Sequence, residues 1–140
     1  NVLVHLKNRK EIGKFVKDTA DLLQPGGKIF IQIVNYQRII EQNLGGLPTI
    51  VSEDGSFRFE RNYKYDSQEH VIYFKTELIS QKDEQILHEN EIPLYPLTKD
   101  ELNSLLKRAG FKVKNLYGSP DAKPFSSTTS IPLIVTAEKR

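Results

Sequence analysis

The chain of 140 residues is long enough for one ordinary domain with a buried core. Its hydrophobic share of 38% and charged share of 27% are those of a soluble globular protein, and no apolar run approaches the roughly 20 residues that a membrane-spanning helix needs. A net charge of +2 is too small to indicate a nucleic-acid partner, and the absence of cysteine excludes disulfides and thiolate metal sites. This composition is compatible with a cytoplasmic protein, which is our expectation.

The first residues, Asn1 to Leu6, form an apolar segment that resembles the middle of a protein. We therefore expect the sequence to be a portion of a longer polypeptide. A basic run follows at Lys7 to Lys10 and continues with Lys14 and Lys17. It lies on the polar side of the next predicted helix, and we interpret it as a solvated face.

Residues 11 to 23 have the spacing of an amphipathic helix. Its predicted buried stripe comprises Ile12, Phe15, Val16, Leu22 and Leu23. Pro25-Gly26-Gly27 ends the helix, since proline disfavours the helical conformation in the residue before it. The nearly all-apolar run from Lys28 to Val34 predicts a strand that is buried on both faces, as in a parallel sheet covered by helices. If Asn1 to Leu6 includes the end of a preceding strand, these elements almost complete a βαβ unit.

The pattern then changes to an alternation of period two. It predicts an antiparallel meander of three strands over 57–65, 70–79 and 84–94, with an aromatic face and a polar face. The preceding segment, 36–56, is less regular, with a short helix near Ile39 and turns at Gly45-Gly46 and Asp54-Gly55.

A second helix is predicted to begin at Thr98, because Thr98 and Glu101 have the spacing of a capping box. Gly110 is the residue expected just beyond its last turn. Strands are predicted over 112–117 and 131–137. The loop between them, 118–130, is rich in Ser, Thr, Pro and Gly, and it is the one stretch where the sequence leaves disorder open.

Four segments in this order resemble those of a known family. They are Asn1 to Leu6, Leu22 to Ile31, Asn35 to Ile39, and Leu97 to Phe111. The first is similar to the Gly-Asn-x-x-x-His-Leu segment at the fourth strand of glycine/sarcosine N-methyltransferase-like enzymes. The second is similar to the L-x-P-G-G-x-L step into the fifth strand of class I S-adenosylmethionine-dependent methyltransferases. The third lies where this group often carries Asn-Tyr-Asp-Arg, and the fourth resembles the step from helix to sixth strand.

The resemblance implies an α/β fold, namely the C-terminal half of a Rossmann-like seven-stranded methyltransferase sheet with an antiparallel β insertion. Residues 1–34 and 97–140 would form the core, and residues 35–96 an insertion over the acceptor site. The family's glycine-rich cofactor loop and acidic strand end have no counterpart in the sequence. The 140 residues alone are therefore expected to have negligible affinity for S-adenosyl-L-methionine, the cofactor of the full-length enzyme.

The resemblance also implies a set of cofactor-binding residues: Asn1, Val2, His5 and Leu6. The alternative for Asn1 is a polar residue that caps a loop. For His5 the open alternatives are a general base, since an unperturbed histidine titrates near neutrality, and a hydrogen-bonded structural residue.

Candidate residues for the methyl acceptor follow the predicted buried strand, at the edge where ligands bind in open α/β sheets. They are Asn35, Tyr36 and Arg38, together with Arg61 and Tyr63 of the meander. Arg38 would hold a carboxylate through its bidentate fork, and the alternative is a surface ion pair with Glu41. For Arg61, Tyr63 and the neighbouring Tyr65 the alternative is plain packing. His70 and His88 lie on different predicted strands, so we expect no metal site.

The implied reaction is direct displacement, in which a lone pair of the acceptor, such as an amine nitrogen, attacks the sulfonium methyl group. No covalent nucleophile is required. The rival interpretation is a non-catalytic partial module that acts in association. An exposed strand edge invites pairing with another chain, so a homodimer through that edge is expected. The expected partners are thus a small-molecule methyl acceptor and a second copy, without nucleic acid or membrane.

Overall fold

The computed structural model describes all 140 residues and divides them into two compact units, residues 1–42 with 95–140 and residues 43–94. The second unit thus comprises most of the predicted insertion, 35–96, whereas residues 35–42 and 95–96 belong to the first unit. The elements in chain order are a 3-10 turn Leu3–His5, α1 Arg9–Leu22, β1 Lys28–Val34, α2 Tyr36–Glu41, β2 Gly46–Val51, β3 Phe57–Asp66, β4 Val71–Ser80, β5 Ile86–Leu94, α3 Lys99–Arg108, β6 Phe111–Tyr117 and β7 Pro132–Lys139.

The first unit contains an antiparallel three-stranded sheet in the order β1-β7-β6. The last strand of the chain, β7, is therefore the central one, and its residues Leu133, Ile134 and Val135 are buried on both faces of the sheet. The longest helix, α1, has 14 residues, and no helix combines the length and apolar character needed to cross a membrane.

Strand β1 differs from its prediction. It pairs only with β7, antiparallel, and its other edge has no partner strand. Ile31 and Ile33 are buried, whereas Phe30 on the opposite face is 63% exposed. The prediction of a strand buried on both faces is thus wrong for this chain, because the all-apolar run alone does not show what covers the second face. The predicted strand end before α1 is a 3-10 turn instead.

Helix α1 begins where Asn8 caps it, with the Asn8 side chain accepting a hydrogen bond from the Glu11 amide at 2.9 Å. Its buried stripe is narrower than predicted and consists of Ile12, Val16 and Ala20. Phe15 and Leu22 were expected on this stripe, but they are 51% and 86% exposed. Phe15 lines an open groove together with Phe30 of β1.

Helix α3 confirms its predicted start. Thr98 and Glu101 form the reciprocal capping box, and Leu97 before it is fully buried. Gly110 follows the helix with a φ of +93°, a left-handed conformation that favours glycine. The segment 118–130 is folded into turns, with the Gly118 amide donating to the Lys123 carbonyl at 2.8 Å.

The second unit is an antiparallel sheet of four strands in the order β2-β3-β4-β5, one strand more than the predicted meander. The additional strand, β2, was missed because it contains Pro48 and has a register shift between Leu47 and Ile50. Both features are tolerated at a sheet edge. A side chain at Gly46 would collide with the backbone of Arg61, so glycine lets β2 approach β3 closely.

Candidate functional site

The carboxyl end of β1 and the start of the chain meet through the side chain of Asn1. Its Oδ1 accepts a hydrogen bond from the amide of Val34 at 3.1 Å, and its amide group lies 2.7 Å from the Tyr36 hydroxyl. The Tyr36 hydroxyl also lies 3.0 Å from Asn1 Oδ1. Tyr36 is only 1% exposed, so this pair fixes the first residues against the end of the strand.

Asn35 holds the adjacent loop in place. It is 3% exposed, and its Nδ2 donates to the carbonyls of Ser127 at 3.0 Å and Ser130 at 2.9 Å, with Ser126 at 3.4 Å. Its Oδ1 accepts from the Arg38 amide at 3.4 Å and caps α2. Both ends of the Asn35 amide are thus engaged within the protein, and the residue positions the 126–130 loop beside the end of β1.

Two open grooves adjoin Asn1. The first, about 410 Å³, is lined by all four residues of the predicted cofactor set, Asn1, Val2, His5 and Leu6, and by aromatic side chains that include Phe15 and Phe30. The second, about 330 Å³, is lined by Asn1 together with Pro120 and Ile131. The fold therefore gathers the predicted cofactor residues in one place, with Asn1 between the two grooves.

His5 lies on the 3-10 turn and is exposed. Its ring makes no hydrogen bond in the structure, whereas the backbone amide of His5 donates to the Val2 carbonyl at 3.1 Å. The hydrogen-bonded structural role that the sequence left open for this imidazole thus has no partner here. The ring faces solvent at the first groove.

Arg38 lies in the second turn of α2 and is half-buried. The ion pair with Glu41 that the sequence left open does not form, since Glu41 accepts instead from the Gln37 amide at 2.9 Å. The Arg38 guanidinium has no ion-pair or hydrogen-bond partner in the protein. A half-buried, unpaired fork of this kind is suited to bind a carboxylate or phosphate bidentately.

The remaining two predicted residues lie in the second unit, on β3. Arg61 donates from Nη2 to the Pro48 carbonyl at 2.8 Å, and its guanidinium lies 6.0 Å from the ring centroid of Phe59. Tyr63 stacks on Phe74 with ring centroids 5.2 Å apart, and burial raises the pKa of its hydroxyl. Both side chains therefore contact residues of their own sheet, and their predicted role at the acceptor site stays a prediction.

The sequence did not single out Gln32, which lines both grooves. The signal was present, since Gln32 is the one polar residue inside the apolar run of β1 and its neighbours Ile31 and Ile33 are buried. Strand alternation then requires Gln32 to face away from those isoleucines.

No family model and no curated protein matches the chain. Among solved structures, the CcbJ methyltransferase from Streptomyces caelestis matches with a TM-score of 0.82 at 19% identity, over 100% of this chain and 58% of its own. An S-adenosylmethionine-dependent methyltransferase from Clostridium acetobutylicum matches with a TM-score of 0.76 at 12% identity, over 99% and 55%. The chain therefore shares its fold with part of these solved methyltransferase structures.

A third solved structure, the sugar N-methyltransferase KedS8 from Streptoalloteichus, matches with a TM-score of 0.63 at 15% identity, over 99% of this chain and 52% of its own. The chain thus spans about half the length of the structures it matches. These matches confirm the predicted fold class, an α/β fold of the Rossmann-like methyltransferase type.

The residues of the first groove fit S-adenosyl-L-methionine only in part. They supply an apolar wall and the Asn1 amide, but no carboxylate lines the groove to accept from ribose hydroxyls. Gly26 and Gly27 precede β1 and do not follow it, so they do not form a ligand-binding turn at the carboxyl end of that strand. By themselves these side chains would form one wall of a cofactor site.

Proposed function

We propose that this chain is the C-terminal portion of an S-adenosyl-L-methionine-dependent methyltransferase that acts on a small-molecule nucleophile, with an amine nitrogen as the acceptor atom. The observation that carries the proposal is the cluster at the end of β1, where Asn1 binds the Val34 amide and the Tyr36 hydroxyl beside a groove lined by Val2, His5 and Leu6. The acceptor class is supported by the sugar N-methyltransferase among the matching folds. The finer resemblance to glycine/sarcosine N-methyltransferase-like enzymes stays a prediction.

In this proposal the cofactor supplies a methyl group already activated by its positive sulfur, so the protein contributes orientation and exclusion of water. Val2 and Leu6 would exclude water from the cofactor side. Arg38 would hold an anionic group of the acceptor, because its guanidinium has no partner within the protein. Asn35 would act as a positioning residue for the 126–130 loop.

The test uses a polypeptide that carries this chain together with a glycine-rich cofactor loop, which the proposal requires. Transfer of labelled methyl groups is measured over a panel of amines, phenols and carboxylates. Arg38→Ala is expected to raise KM for an amine that bears a carboxylate by about tenfold or more, with kcat little changed, since the lost contact is a binding contact. Lys112→Ala, which removes an exposed cation elsewhere, is the matched control. Absence of methyl transfer to every acceptor would overturn the proposal.

A direct measurement on the 140 residues complements this assay. Titration calorimetry with S-adenosyl-L-methionine is expected to show negligible binding, because one wall of a site supplies few of the needed contacts. Micromolar affinity would show that the groove residues suffice, and would contradict this part of the proposal.

The second candidate function is a non-catalytic module that associates with another chain. The unpaired edge of β1 and the exposed Phe15 and Phe30 favour it. A glycine-rich loop after a strand, followed by an acidic strand end, in the same polypeptide would favour the enzyme, and their absence there would favour the module.

A further inference from the structure

A groove between α1 and α3, which shares no lining residue with the grooves at Asn1, has a strongly basic lining. Its volume is about 490 Å³, and four cationic side chains line it without any acidic one: Arg9, Lys10, Lys17 and Arg108. We call it the basic groove. The two helices bring together cations that are 99 positions apart along the chain at the extremes, Arg9 and Arg108. From the sequence alone, we interpreted the run at Lys7 to Lys10 as a solvated helix face.

The charges of the basic groove are poorly compensated within the protein. Arg9, Lys10 and Arg108 are exposed and have no ion-pair partner, while Lys17 pairs with Asp21 at 2.5 Å. Two other nearby carboxylates are directed elsewhere, Glu11 to the Lys7 amide and Asp18 to Lys14. Cations in the first turn of α1 also face the positive end of its dipole, which is unfavourable. A bound anion would relieve these repulsions.

The net charge of the whole chain does not show that the positive charges are concentrated in the first unit. Residues 1–42 and 95–140 contain 15 Lys and Arg against 8 Asp and Glu, a balance of +7, whereas residues 43–94 contain 5 against 10, a balance of −5. The sum of +7 and −5 is the overall +2. The first unit is therefore a basic body in its own right, and the basic groove is the place where its cations converge without acids.

The spread of the cations selects among anionic ligands. Arg9 and Lys17 are eight residues apart on α1, which corresponds to about 12 Å along the axis. A ligand with several negative charges along this length pairs with more of these cations than a single phosphate or carboxylate does. In an extended peptide, successive side chains on one face are roughly 6.6 Å apart, so acidic residues four positions apart span about 13 Å, which is close to that distance. The groove also has an apolar floor of Leu105 and Ala109 that would seat an aliphatic side chain.

We propose that the basic groove binds an acidic peptide segment of a partner protein, with carboxylates on Arg9, Lys10, Lys17 and Arg108 and an aliphatic residue on Leu105 and Ala109. This interaction does not depend on the proposed methyl transfer, since none of these side chains lines the grooves at Asn1.

The experiment measures fluorescence anisotropy of a labelled heptapeptide, three glutamates on each side of a leucine, added to the 140-residue protein. Binding is expected to weaken as salt rises and to be lost when glutamine replaces glutamate. Arg9→Gln with Arg108→Gln is expected to weaken binding by about tenfold or more, because two charge pairs are removed. The matched control, Lys64→Gln with Lys82→Gln, removes the same charge from exposed positions in the other unit and is expected to bind as the unchanged protein does.

The outcomes are distinct. Equal weakening in both double variants, or in neither, would overturn the proposal, since binding would then reflect overall charge or another surface. Tighter binding of tripolyphosphate or of single-stranded DNA than of the peptide would also overturn it, in favour of a phosphate site. Replacement of the peptide's leucine by serine is expected to weaken binding several-fold, and no change would contradict the apolar floor. Thermal unfolding of each variant verifies that the fold is retained.

Discussion

Asn35 has a structural role that the sequence did not indicate. It was predicted from a resemblance to contact the methyl acceptor, and that prediction is not tested by the geometry. The structure does place its amide in a buried position, where it binds the carbonyls of the 126–130 loop. A local sequence pattern cannot reveal such a bond, because its partners lie more than 90 positions away.

We expect Asn35→Ala to lower the free energy of unfolding by at least about 2 kcal/mol, because buried carbonyls would lose their donor. Urea denaturation measures it. Gln42→Ala is the control, since Gln42 also donates an amide to this loop, to the Thr128 carbonyl at 2.7 Å, but from an exposed position. Gln42→Ala is expected to lower the free energy of unfolding by less than about 0.5 kcal/mol. Equal losses would mean that the anchoring role is wrong.

Asp54 lies in the turn between β2 and β3, and its pKa is the most strongly lowered among the carboxylates. Its Oδ1 accepts from the Ser56 hydroxyl at 2.6 Å, the Ser56 amide at 3.0 Å and the Ser52 hydroxyl at 2.8 Å. Hydrogen bonds from Ser56, and then from Ser52, lower the pKa of Asp54 to about 2. The folded state thus favours the charged carboxylate more than the unfolded state does.

The resulting stabilisation is fully present above the unfolded pKa, near 4, and is lost as the pH falls through about 2. We expect Ser56→Ala to raise the pKa of Asp54 toward its ordinary value, as measured by NMR titration of the carboxyl carbon. Ser67→Ala, in the turn between β3 and β4, should leave it unchanged. An unaltered Asp54 titration in Ser56→Ala would contradict the assigned cause.

At the scale of elements, the structure follows the sequence where the signals are local. The capping box of α3 joins two residues three positions apart, and both of its hydrogen bonds are present, at 3.3 Å and 3.2 Å. Strands β3 and β4 were predicted by alternation to within about two residues at their ends. Strand β2 and the open face of β1 were not predicted. A proline-containing edge strand forms only where a distant strand pairs with it, and the exposure of a strand face depends on which distant element covers it.

For α3 we expect Thr98→Ala to lower the free energy of unfolding by about 1 kcal/mol, since the cap to the Glu101 amide is removed. Ser104→Ala within the same helix is the control. Ser104 makes no hydrogen bond through its side chain, and alanine is the better helix former, so its effect should be neutral or slightly stabilising. Thermal and chemical denaturation distinguish the two variants, and a Thr98 variant as stable as the Ser104 variant would argue against the cap.

At the scale of the whole molecule, β1 leaves one edge of the sheet of the first unit without a partner strand. Three exposed apolar side chains surround it, Val2 at 84%, Phe15 and Phe30. An edge of this kind offers unpaired backbone groups to another strand, and apolar patches of this kind mark association sites. The proposed enzyme would cover the edge with the rest of its sheet, and the rival module would cover it with another chain.

We expect the isolated 140 residues to self-associate through this edge, by dimerisation or by exchange of elements. Size-exclusion chromatography with light scattering over a concentration series measures the mass. Phe30→Glu is expected to shift the species toward monomer, and Phe57→Glu on β3, a strand paired on both sides, should not. A monodisperse monomer of the unchanged protein would contradict the prediction.

The sequence by itself determined the order of most elements, the cap of α3, the turn at Pro25-Gly26-Gly27 and, through four ordered segments, the fold class. These are decided by residues close together in the chain, or by a resemblance in their order. Tertiary structure alone decided that β7 is the central strand, that Asn35 is buried against a distant loop, that Asn1 binds the end of β1, and that Arg108 joins Arg9 and Lys10 around one groove. The physical reason is common to all of these. Burial and charge density depend on which surfaces meet, and residues far apart in the chain supply those surfaces.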